Sequence, residues 1–298
     1  MYPDPNRKRR FGWLDAVLIA LALGALAYAW TRVSDVLVYR WDWGFLPQVL
    51  FKRDESSGWL VPNVLLEGLL TTIRLSIWAM ILASALGLAF GLMSTARRLL
   101  PRLTALAYVG VVRNVPPLVF IFVFYFFISS QILPALGVDV WARGLDETGH
   151  AAVNLLLGPP DLFENLVSGV LCLALFEAAY ISEIVRAGVR SVPDEQTEAA
   201  QSLGLRRLQV FRLVVLPQAL RVVTPPLANQ FIMLVKNSAI VSLISVQELT
   251  FIGTEIAVST GRRFETWIVV AGMYFVLCYG LAILFARMER RMRRFDET

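Results

Sequence analysis

Long apolar runs separated by short charged segments dominate the hydrophobic pattern of this 298-residue chain. A helix needs about 20 mostly apolar residues to cross the roughly 30 Å hydrocarbon core of a bilayer. Six runs are close to that length or longer. They cover residues 13–30, 65–93, 105–130, 163–185, 217–245 and 267–286. The pattern predicts an all-α integral membrane protein with about six transmembrane helices.

Composition supports a membrane protein and excludes several other classes. Hydrophobic residues make up 57% of the chain and charged residues 17%, whereas a soluble domain is about 25% charged. Cys172 and Cys278 lie inside apolar runs, so they are interpreted as core residues without a disulfide framework. His150 is the single histidine, which excludes a histidine metal cluster, and no metal or cofactor site is predicted.

The first apolar run leaves two interpretations open. It follows the basic cluster Arg7, Lys8, Arg9 and Arg10, as the core of a secretory signal peptide would, and small residues at 25–27 offer a cleavage region. The run is long for a signal peptide, which favours a retained anchor helix. In either case residue 31 and those after it emerge on the outer side of the membrane.

The positive charges are distributed unevenly between alternate sides of the membrane. With the N-terminus inside, four segments face the cytoplasm: 1–12, 94–104, 186–216 and 287–298. They hold 17 of the 28 Lys and Arg residues, and the opposite loops 31–64, 131–162 and 246–266 hold seven. Because Lys and Arg concentrate on cytoplasmic loops, both termini are predicted to be cytoplasmic. The same bias explains the basic pI without nucleic-acid binding.

The loop between the fourth and fifth runs has the pattern of a short helix with defined ends. Pro193 suits the first turn, acidic residues follow it near the positive end of the helix dipole, and Gly204 suits a left-handed stop. An apolar face is predicted from Ala199, Ala200 and Leu203. A second helical stretch is predicted from Leu205, Leu208, Phe211 and Val215. Such a helix can dock into a groove on a partner; the alternatives are a plain connecting turn or a soluble helix–turn–helix, which the flanking spans disfavour.

The spacing of residues in this loop resembles a known family. Glu198-Ala199-Ala200, then Gly204, then Val214 and Leu216-Pro217 are similar to the EAA loop of binding-protein-dependent ABC importer permeases, with Val214 where isoleucine is usual. In that family the loop forms a coupling helix that inserts into the ATPase subunit. The resemblance implies that Glu198, Ala199, Ala200, Gly204, Leu216 and Pro217 couple this chain to an ATPase.

Further segments are similar to the polar amino-acid subfamily of those permeases. They are Leu66–Ser76, Arg113–Leu118, Glu183–Gly188, Leu216–Ala219 and Leu234–Ser238. The departures are Ala187 in place of a glycine and Ala239 in place of a hydroxyl residue. The resemblance covers about residues 64–287 and implies the type I permease architecture and transport of polar or charged amino acids.

The resemblance also implies a domain plan and a set of partners. Residues 1–63 would form a cytoplasmic tail, anchor helix and outer loop, residues 64–287 the permease domain with coupling loop 191–217, and residues 288–298 a basic cytoplasmic tail. The expected partners are cytoplasmic ABC ATPase subunits, a second permease subunit (the same or a related one), an extracytoplasmic solute-binding protein and membrane lipid. The expected location is the cell inner membrane, and no nucleic acid is expected to bind.

The energy source follows by elimination. No glycine–lysine pair occurs in the chain, and a phosphate-binding P-loop requires one. ATP hydrolysis is therefore expected on another polypeptide, and the chain is predicted not to be an enzyme, because it also lacks G-x-S-x-G and H-E-x-x-H motifs. The alternative is an ion-coupled secondary amino-acid transporter, for which inverted repeats and broken helices are expected but are not evident.

Ionisable residues at membrane depth are candidates for the translocation path, since they are costly to insert. The candidates proposed to line it are Arg113, Asn114, Glu177, Lys236 and Asn237. Basic groups suit a substrate carboxylate, and acidic groups suit an ammonium. The alternative is snorkelling or structural ion pairing, which is favoured for Glu67 and Arg221. A stripe of small residues, Ala83, Gly87 and Gly91, predicts close helix contact and favours packing within one subunit over a contact between two subunits of a dimer.

Overall fold

The computed structural model describes residues 12–36, 39–54, 58–144, 146, 149, 153–154 and 156–294. The basic cluster at 7–10 and His150 lie outside the described residues. The chain divides between Trp43 and Gly44 into two compact units.

The first unit contains helix α1, Trp13–Val36. Leucine side chains on this helix, such as Leu18 and Leu21, are more than half exposed. After it, the rings of Trp41 and Trp43 stack with their centroids 5.8 Å apart. An apolar helix with outward leucines suits a lipid environment, and its retention or cleavage stays a prediction.

The second unit is built almost entirely of helices. Its elements are α2 (Leu46–Leu50), β1 (Phe51–Arg53), β2 (Leu60–Pro62), α3 (Val64–Ser94), α4 (Leu99–Asn114), α5 (Pro117–Phe124), α6 (Ser130–Ala135), α7 (Val138–Arg143), α8 (Phe163–Arg190), α9 (Asp194–Ser202), α10 (Arg207–Val210), α11 (Leu216–Asn237), α12 (Leu249–Thr260) and α13 (Arg263–Arg294). The two short strands pair antiparallel, with Lys52 opposite Val61.

Five helical stretches among the described residues are long and apolar enough to cross a membrane. They are Val64–Ser94, Pro117–Ala135, Phe163–Arg190, Arg207–Ile244 and Arg263–Arg291. The first predicted run forms α1, whose apolar stretch Trp13–Ala29 is shorter than these five. The prediction of an all-α membrane fold is confirmed.

The predicted boundary of the third run, 105–130, is wrong. Helix α4 ends at Asn114, Val115 is extended with φ −101° and ψ 133°, and α5 begins at Pro117. The reason is local, because a residue before proline is pushed out of the helical region. The membrane-spanning stretch is therefore Pro117–Ala135, and α4 is a separate helix that precedes it.

The outer segment 246–266, predicted as a loop, is largely helical. Helix α12 lies against α3, where a Cβ atom on Gly68 would come within 3.0 Å of the Ile252 side chain. Ile252 and Ile256 are buried there with Leu65 and Leu249. The apolar run in this segment is too short to span a membrane, but it is long enough to form a helix that packs against α3.

Helix α8 forms the centre of the second unit, between α3 and α11. A Cβ atom on Gly87 of α3 would lie 2.5 Å from Ile181 Cγ2, and one on Gly91 would lie 2.6 Å from Val185 Cβ. On the other side of α8, a Cβ atom on Gly188 would lie 2.1 Å from a methyl group of Val223. Small residues let helix backbones approach closely, so the predicted packing within one subunit is confirmed.

Candidate functional site: coupling segment and buried polar centre

The coupling segment, residues 193–217, begins with helix α9. Pro193 directly precedes the helix, and Asp194 and Glu195 fill its first turn. Gly204 ends the turn after the helix with φ +82°, and its N–H donates to the Gln201 carbonyl at 2.9 Å. The predicted left-handed stop at Gly204 is confirmed, and the reason for glycine is its positive φ.

The apolar face predicted on α9 is divided in the structure. Ala200 is buried against Val192, Val210 and Val215. Ala199 is exposed, and Leu203 is 84% exposed. The two alanines are about 100° apart around the helix, and in the structure Ala200 faces the valines while Ala199 faces outward. The prediction of a single face is therefore wrong: Ala200 holds the segment together, while Leu203 and Gly204 form an outward tip.

The second half of the coupling segment leads into α11 without a break. Helix α10 is followed by one wide helical turn, Phe211–Val215, and Leu216 is the first residue of α11. Gln218 donates to the Val214 carbonyl at 2.9 Å and also bonds the Gln196 side chain of α9. These bonds tie α9 to the base of a membrane-spanning helix.

A buried polar centre lies between α8 and α11. Glu177 is fully buried, and its Oε1 accepts a hydrogen bond from Asn237 Nδ2 at 2.8 Å. Its other carboxylate oxygen accepts from Gln230. Of the predicted path residues, the structure brings Glu177 and Asn237 together. Gln230 was missed, although its spacing of seven residues from Asn237, about two helical turns, is a signal that could have found it.

Lys236 lies apart from this centre. Its side chain is exposed and lines a cavity of about 650 Å³ between α11 and α13, together with Asn229, Tyr274 and Cys278. Asn237 follows Lys236 directly, so the bond that holds Asn237 to Glu177 also fixes the turn that carries Lys236.

Arg113 and Asn114 form a third group at the end of α4. Arg113 Nη1 lies 3.7 Å from Glu183 Oε2, and its guanidinium lies 5.5 Å from the Tyr180 ring centroid. Glu183 also pairs with Arg186 on the next turn of α8. Asn114 is exposed and donates to the Gly110 carbonyl at 2.7 Å. Glu183 is six residues beyond Glu177, about 9 Å along the helix, so the structure does not place Arg113 in the buried polar centre.

A second buried carboxylate was missed in the sequence. Glu248 is fully buried at the start of α12, where it accepts from the Phe251 N–H at 2.9 Å and from the Tyr274 hydroxyl at 2.6 Å. Thr72 of α3 also lies within 3.3 Å. Burial raises the pKa of Glu248. The available signal was an acidic residue directly before an apolar run, which is typical of a helix start.

Comparison with known proteins decides the class of this chain. Residues 83–294 match the model of the family described as "Binding-protein-dependent transport system inner membrane component". The chain belongs to this family. It is thus a permease subunit, as the EAA-type spacing predicted.

Individual relatives of the permease align over nearly their whole length with most of this chain. The glutamate/aspartate import permease protein GltJ of Escherichia coli strain K12 is 33% identical over 256 residues, which cover 85% of this chain and 95% of GltJ. The glutamine transport system permease protein GlnP of the same strain is 31% identical over 244 residues, covering 80% and 98%.

Solved structures agree with the type I architecture. The crystal structure of an amino acid ABC transporter with histidines superposes with a TM-score of 0.61 at 32% identity, covering 76% of this chain and 94% of that one. An inward-facing methionine transporter, MetNI, superposes with a TM-score of 0.56 at 18% identity, which shows the fold alone.

Family membership also shows which subunit carries out transport and which hydrolyses ATP. The permease is a membrane-embedded transport subunit, and ATP hydrolysis belongs to a separate subunit. Proteins of this family work with an ATPase, a binding protein and a second permease. Within the described ranges, no three His, Cys, Asp or Glu side chains lie close enough to hold a metal ion.

Proposed function

We propose that this permease imports polar or charged amino acids, and that its coupling segment docks into a cytoplasmic ABC ATPase. Two relatives that align with at least 80% of its length are named as a glutamate/aspartate permease and a glutamine permease. The observation that carries the proposal is the outward tip of the coupling segment, which combines a family-type spacing with an exposed leucine at position 203.

The residues of the coupling motif divide into two roles. Ala199 and Gly204 are exposed, so they would contact the ATPase directly, with Glu198 beside them. Ala200 packs inside the segment, while Leu216 and Pro217 open α11. A push on the tip would thus reach a membrane-spanning helix through a continuous helical path.

The linkage extends to α8 at the other end of the segment. Gly188, close to the last turn of α8, lies against Val223 of α11 so tightly that no Cβ atom fits. Because two helices in such contact move together more easily than they slide, the two helices that flank the coupling segment would respond as one body. That response is the proposed route from ATP-driven closure to alternating access.

The substrate path is proposed to run past Lys236 in the cavity between α11 and α13. An exposed ammonium suits the carboxylate of an amino acid. Glu177 and Asn237 would act behind it, by fixing the turn of α11 from which Lys236 projects. Arg113 and Asn114 would belong to the path near Glu183, where both side chains are exposed.

The proposed boundaries are 1–63 for the tail, anchor helix and outer loop, 64–287 for the permease domain and 288–298 for the basic tail. Both termini are proposed to be cytoplasmic, because 17 of the 28 Lys and Arg residues then face inward. Two single-cysteine variants, Leu203→Cys and Trp59→Cys, test this in a background that lacks Cys172 and Cys278. Both positions are more than three-quarters exposed. A membrane-impermeant thiol reagent added outside intact cells should label position 59 and spare position 203.

Uptake of radiolabelled glutamate, aspartate and glutamine tests the transport proposal. Cells carrying the permease with its ATPase and binding protein are expected to accumulate at least one of them, and uptake should stop when the Walker lysine of the ATPase is replaced. The alternative, an ion-coupled secondary transporter, predicts uptake that survives loss of the ATPase and collapses with an ionophore. That result, or labelling of position 203 from outside, would overturn the proposal.

A further inference from the structure

An arginine-lined cavity opens beside the coupling segment, distinct from the buried polar centre and from the cavity at Lys236. Its volume is about 940 Å³, and it lies between the turn from α3 to α4, the end of α8 and the start of α10. Five arginines line it: Arg97, Arg98, Arg102, Arg190 and Arg207. Of the described residues that line it, Asp194 is the one carboxylate.

Three arginines lie on the α4 side of this cavity. Within the part of the chain that the structure describes, Arg97, Arg98 and Arg102 form no ion pair with a carboxylate. Arg190 lies near enough to Glu183 for the two side chains to attract each other electrostatically. Like charges that share a cavity repel one another, so an anion bound among them would relieve that repulsion.

The backbone adds to this positive field. Arg98 precedes the 16-residue helix α4, and no side chain caps that helix. The first N–H groups of a helix have no partner within it, and the helix dipole places partial positive charge there. Five arginines and the start of a helix thus line one cavity.

Exposed leucines next to these arginines indicate where the anion comes from. Leu99 is 62% exposed, Leu100 77% and Leu103 50%. A soluble phosphate makes no use of such side chains, whereas a phospholipid supplies a phosphate and acyl chains in adjacent layers. A helix with arginines and leucines in this arrangement is typical of a membrane surface.

We propose that the cavity binds the phosphate of an anionic phospholipid from the cytoplasmic leaflet, with the α4 leucines in the acyl-chain layer. Arg98 comes from the turn directly before α4, Arg102 from α4, Arg190 from α8 and Arg207 from α10. The headgroup therefore braces the coupling segment against α4 and α8. The assignment to the cytoplasmic leaflet rests on the orientation given under the proposed function. Enrichment of arginines on that side is a general topological rule, but the rule does not require five of them to share one cavity.

Binding of phosphatidylglycerol to the full-length chain tests the proposal. The chain is purified in detergent with the subunits it retains and titrated with phosphatidylglycerol or phosphatidylcholine, and bound lipid is counted by native mass spectrometry. Phosphatidylglycerol is expected to bind and phosphatidylcholine to bind far more weakly. Arg98→Gln/Arg102→Gln should weaken phosphatidylglycerol binding about 25-fold, from about fivefold per arginine.

Matched variants keep the result interpretable. Arg290→Gln/Arg291→Gln removes the same charge from exposed positions near the end of α13 and should bind phosphatidylglycerol as the unaltered chain does. Arg98→Lys/Arg102→Lys keeps the positive charge and is expected to retain binding, which also shows that the chain is folded. Equal loss in the α13 variant, or undiminished binding in the Gln variant, would refute the site.

The source of the phosphate is tested by competition. Millimolar inorganic phosphate should leave bound phosphatidylglycerol in place; complete displacement would assign the cavity to a soluble anion and overturn the lipid proposal. Failure of this inference is distinguishable from failure of the proposed function. Lipid counting requires neither ATPase nor transport, and the cysteine at position 203 reports orientation separately.

Discussion

The close contacts of α8 with α3 and α11, called the seam below, depend on glycine for one reason, and the coupling segment depends on glycine for another. At Gly87 and Gly188 in the seam, a Cβ atom would collide with a side chain of the neighbouring helix. At Gly204 nothing lies within 4 Å of the position a Cβ atom would take, and glycine is required by its φ of +82°. The seam is thus rigid because its helices are closely packed. The tip has a backbone conformation fixed by Gly204, but nothing in the described part of the chain packs against it.

This difference is consistent with separate roles for the two regions, since the helices transmit movement and the tip contacts another protein. Helices α3, α8 and α11 must not slide, so their contacts are close. The tip must present a defined shape to another protein, so its backbone is set locally while Leu203 remains 84% exposed. Substitutions in the seam should therefore reduce stability, and substitutions at the tip should reduce coupling.

The largest effect on stability is expected at the seam. Gly87→Ala would place a Cβ atom 2.5 Å from Ile181 Cγ2 and 3.1 Å from the Ala178 carbonyl. Overpacking of this kind costs about 1–3 kcal/mol, so the melting temperature in detergent should fall. The control is Gly110→Ala on α4, where nothing lies within 4 Å and helix propensity favours alanine by about 1 kcal/mol. Equal melting temperatures for the two variants would contradict a close-packed seam.

At the tip, Gly204→Leu is expected to reduce uptake with little loss of folded protein. The side chain would project where the ATPase docks, and the left-handed backbone would be strained by about 1–2 kcal/mol. Uptake and co-purification of the ATPase should both fall at least about tenfold, equivalent to about 1.4 kcal/mol of docking energy.

Gly261→Leu is the matched control for the tip. Gly261 ends α12 with φ +71° and equally open surroundings, so it carries the same backbone strain away from the coupling segment. Uptake by Gly261→Leu should stay near that of the unaltered permease. If both variants lost uptake equally, backbone strain and not docking would be the cause.

A variant in the buried polar centre tests whether the contact between α8 and α11 also depends on hydrogen bonds. Glu177→Gln replaces two acceptor oxygens with one acceptor and one NH2 donor, so one of the two hydrogen bonds, from Gln230 or from Asn237, is lost. Loss of one buried hydrogen bond costs about 0.5–1.5 kcal/mol, so the melting temperature and the rate of uptake should both fall. The exchange Glu177→Gln/Gln230→Glu restores one donor for each acceptor and should recover much of the loss. No recovery would show that position 177 itself must carry the carboxylate.

The smallest expected effect concerns pH at the far end of α3. Because burial raises the pKa of Glu248, the folded state holds its proton more tightly than the unfolded state does. Stability from this group is therefore greatest below the ordinary carboxyl pKa, about 4.3, and declines as pH rises through the raised value. Glu248→Gln should flatten that part of the melting-temperature profile, whereas Glu255→Gln, an exposed position on the same helix, should not. Identical profiles would remove Glu248 as the source.

Much of the fold was predictable because it depends on local properties. The length of an apolar run decides whether a helix can span a bilayer, and five predicted runs became membrane-spanning stretches. The predicted start of the third run was wrong because Val115 precedes a proline and ends the helix there, and the length of an apolar run does not reveal such a helix end. Segment 246–266 failed because α12 is stabilised by packing on α3.

The candidate site was predictable only in part, for a similar reason. The ends of α9 follow from Pro193 and Gly204, whose backbone preferences are intrinsic. The partners of Glu177 are not intrinsic, since Gln230 lies 53 positions away in the chain. The arginine cavity likewise gathers residues from three separate helices.

By itself, the sequence determined that this protein is a helical membrane permease with an EAA-type segment, because apolar run length, helix ends and motif spacing are properties of contiguous residues. Only the tertiary structure decided which polar groups meet: Glu177 with Asn237, Arg113 with Glu183, and five arginines around one cavity. These contacts depend on how α4, α8 and α11 pack against one another. The stripe of Ala83, Gly87 and Gly91 predicts that α3 packs closely, but it does not say which distant residues meet, because those partners are set by the shapes of side chains that are far apart in the sequence.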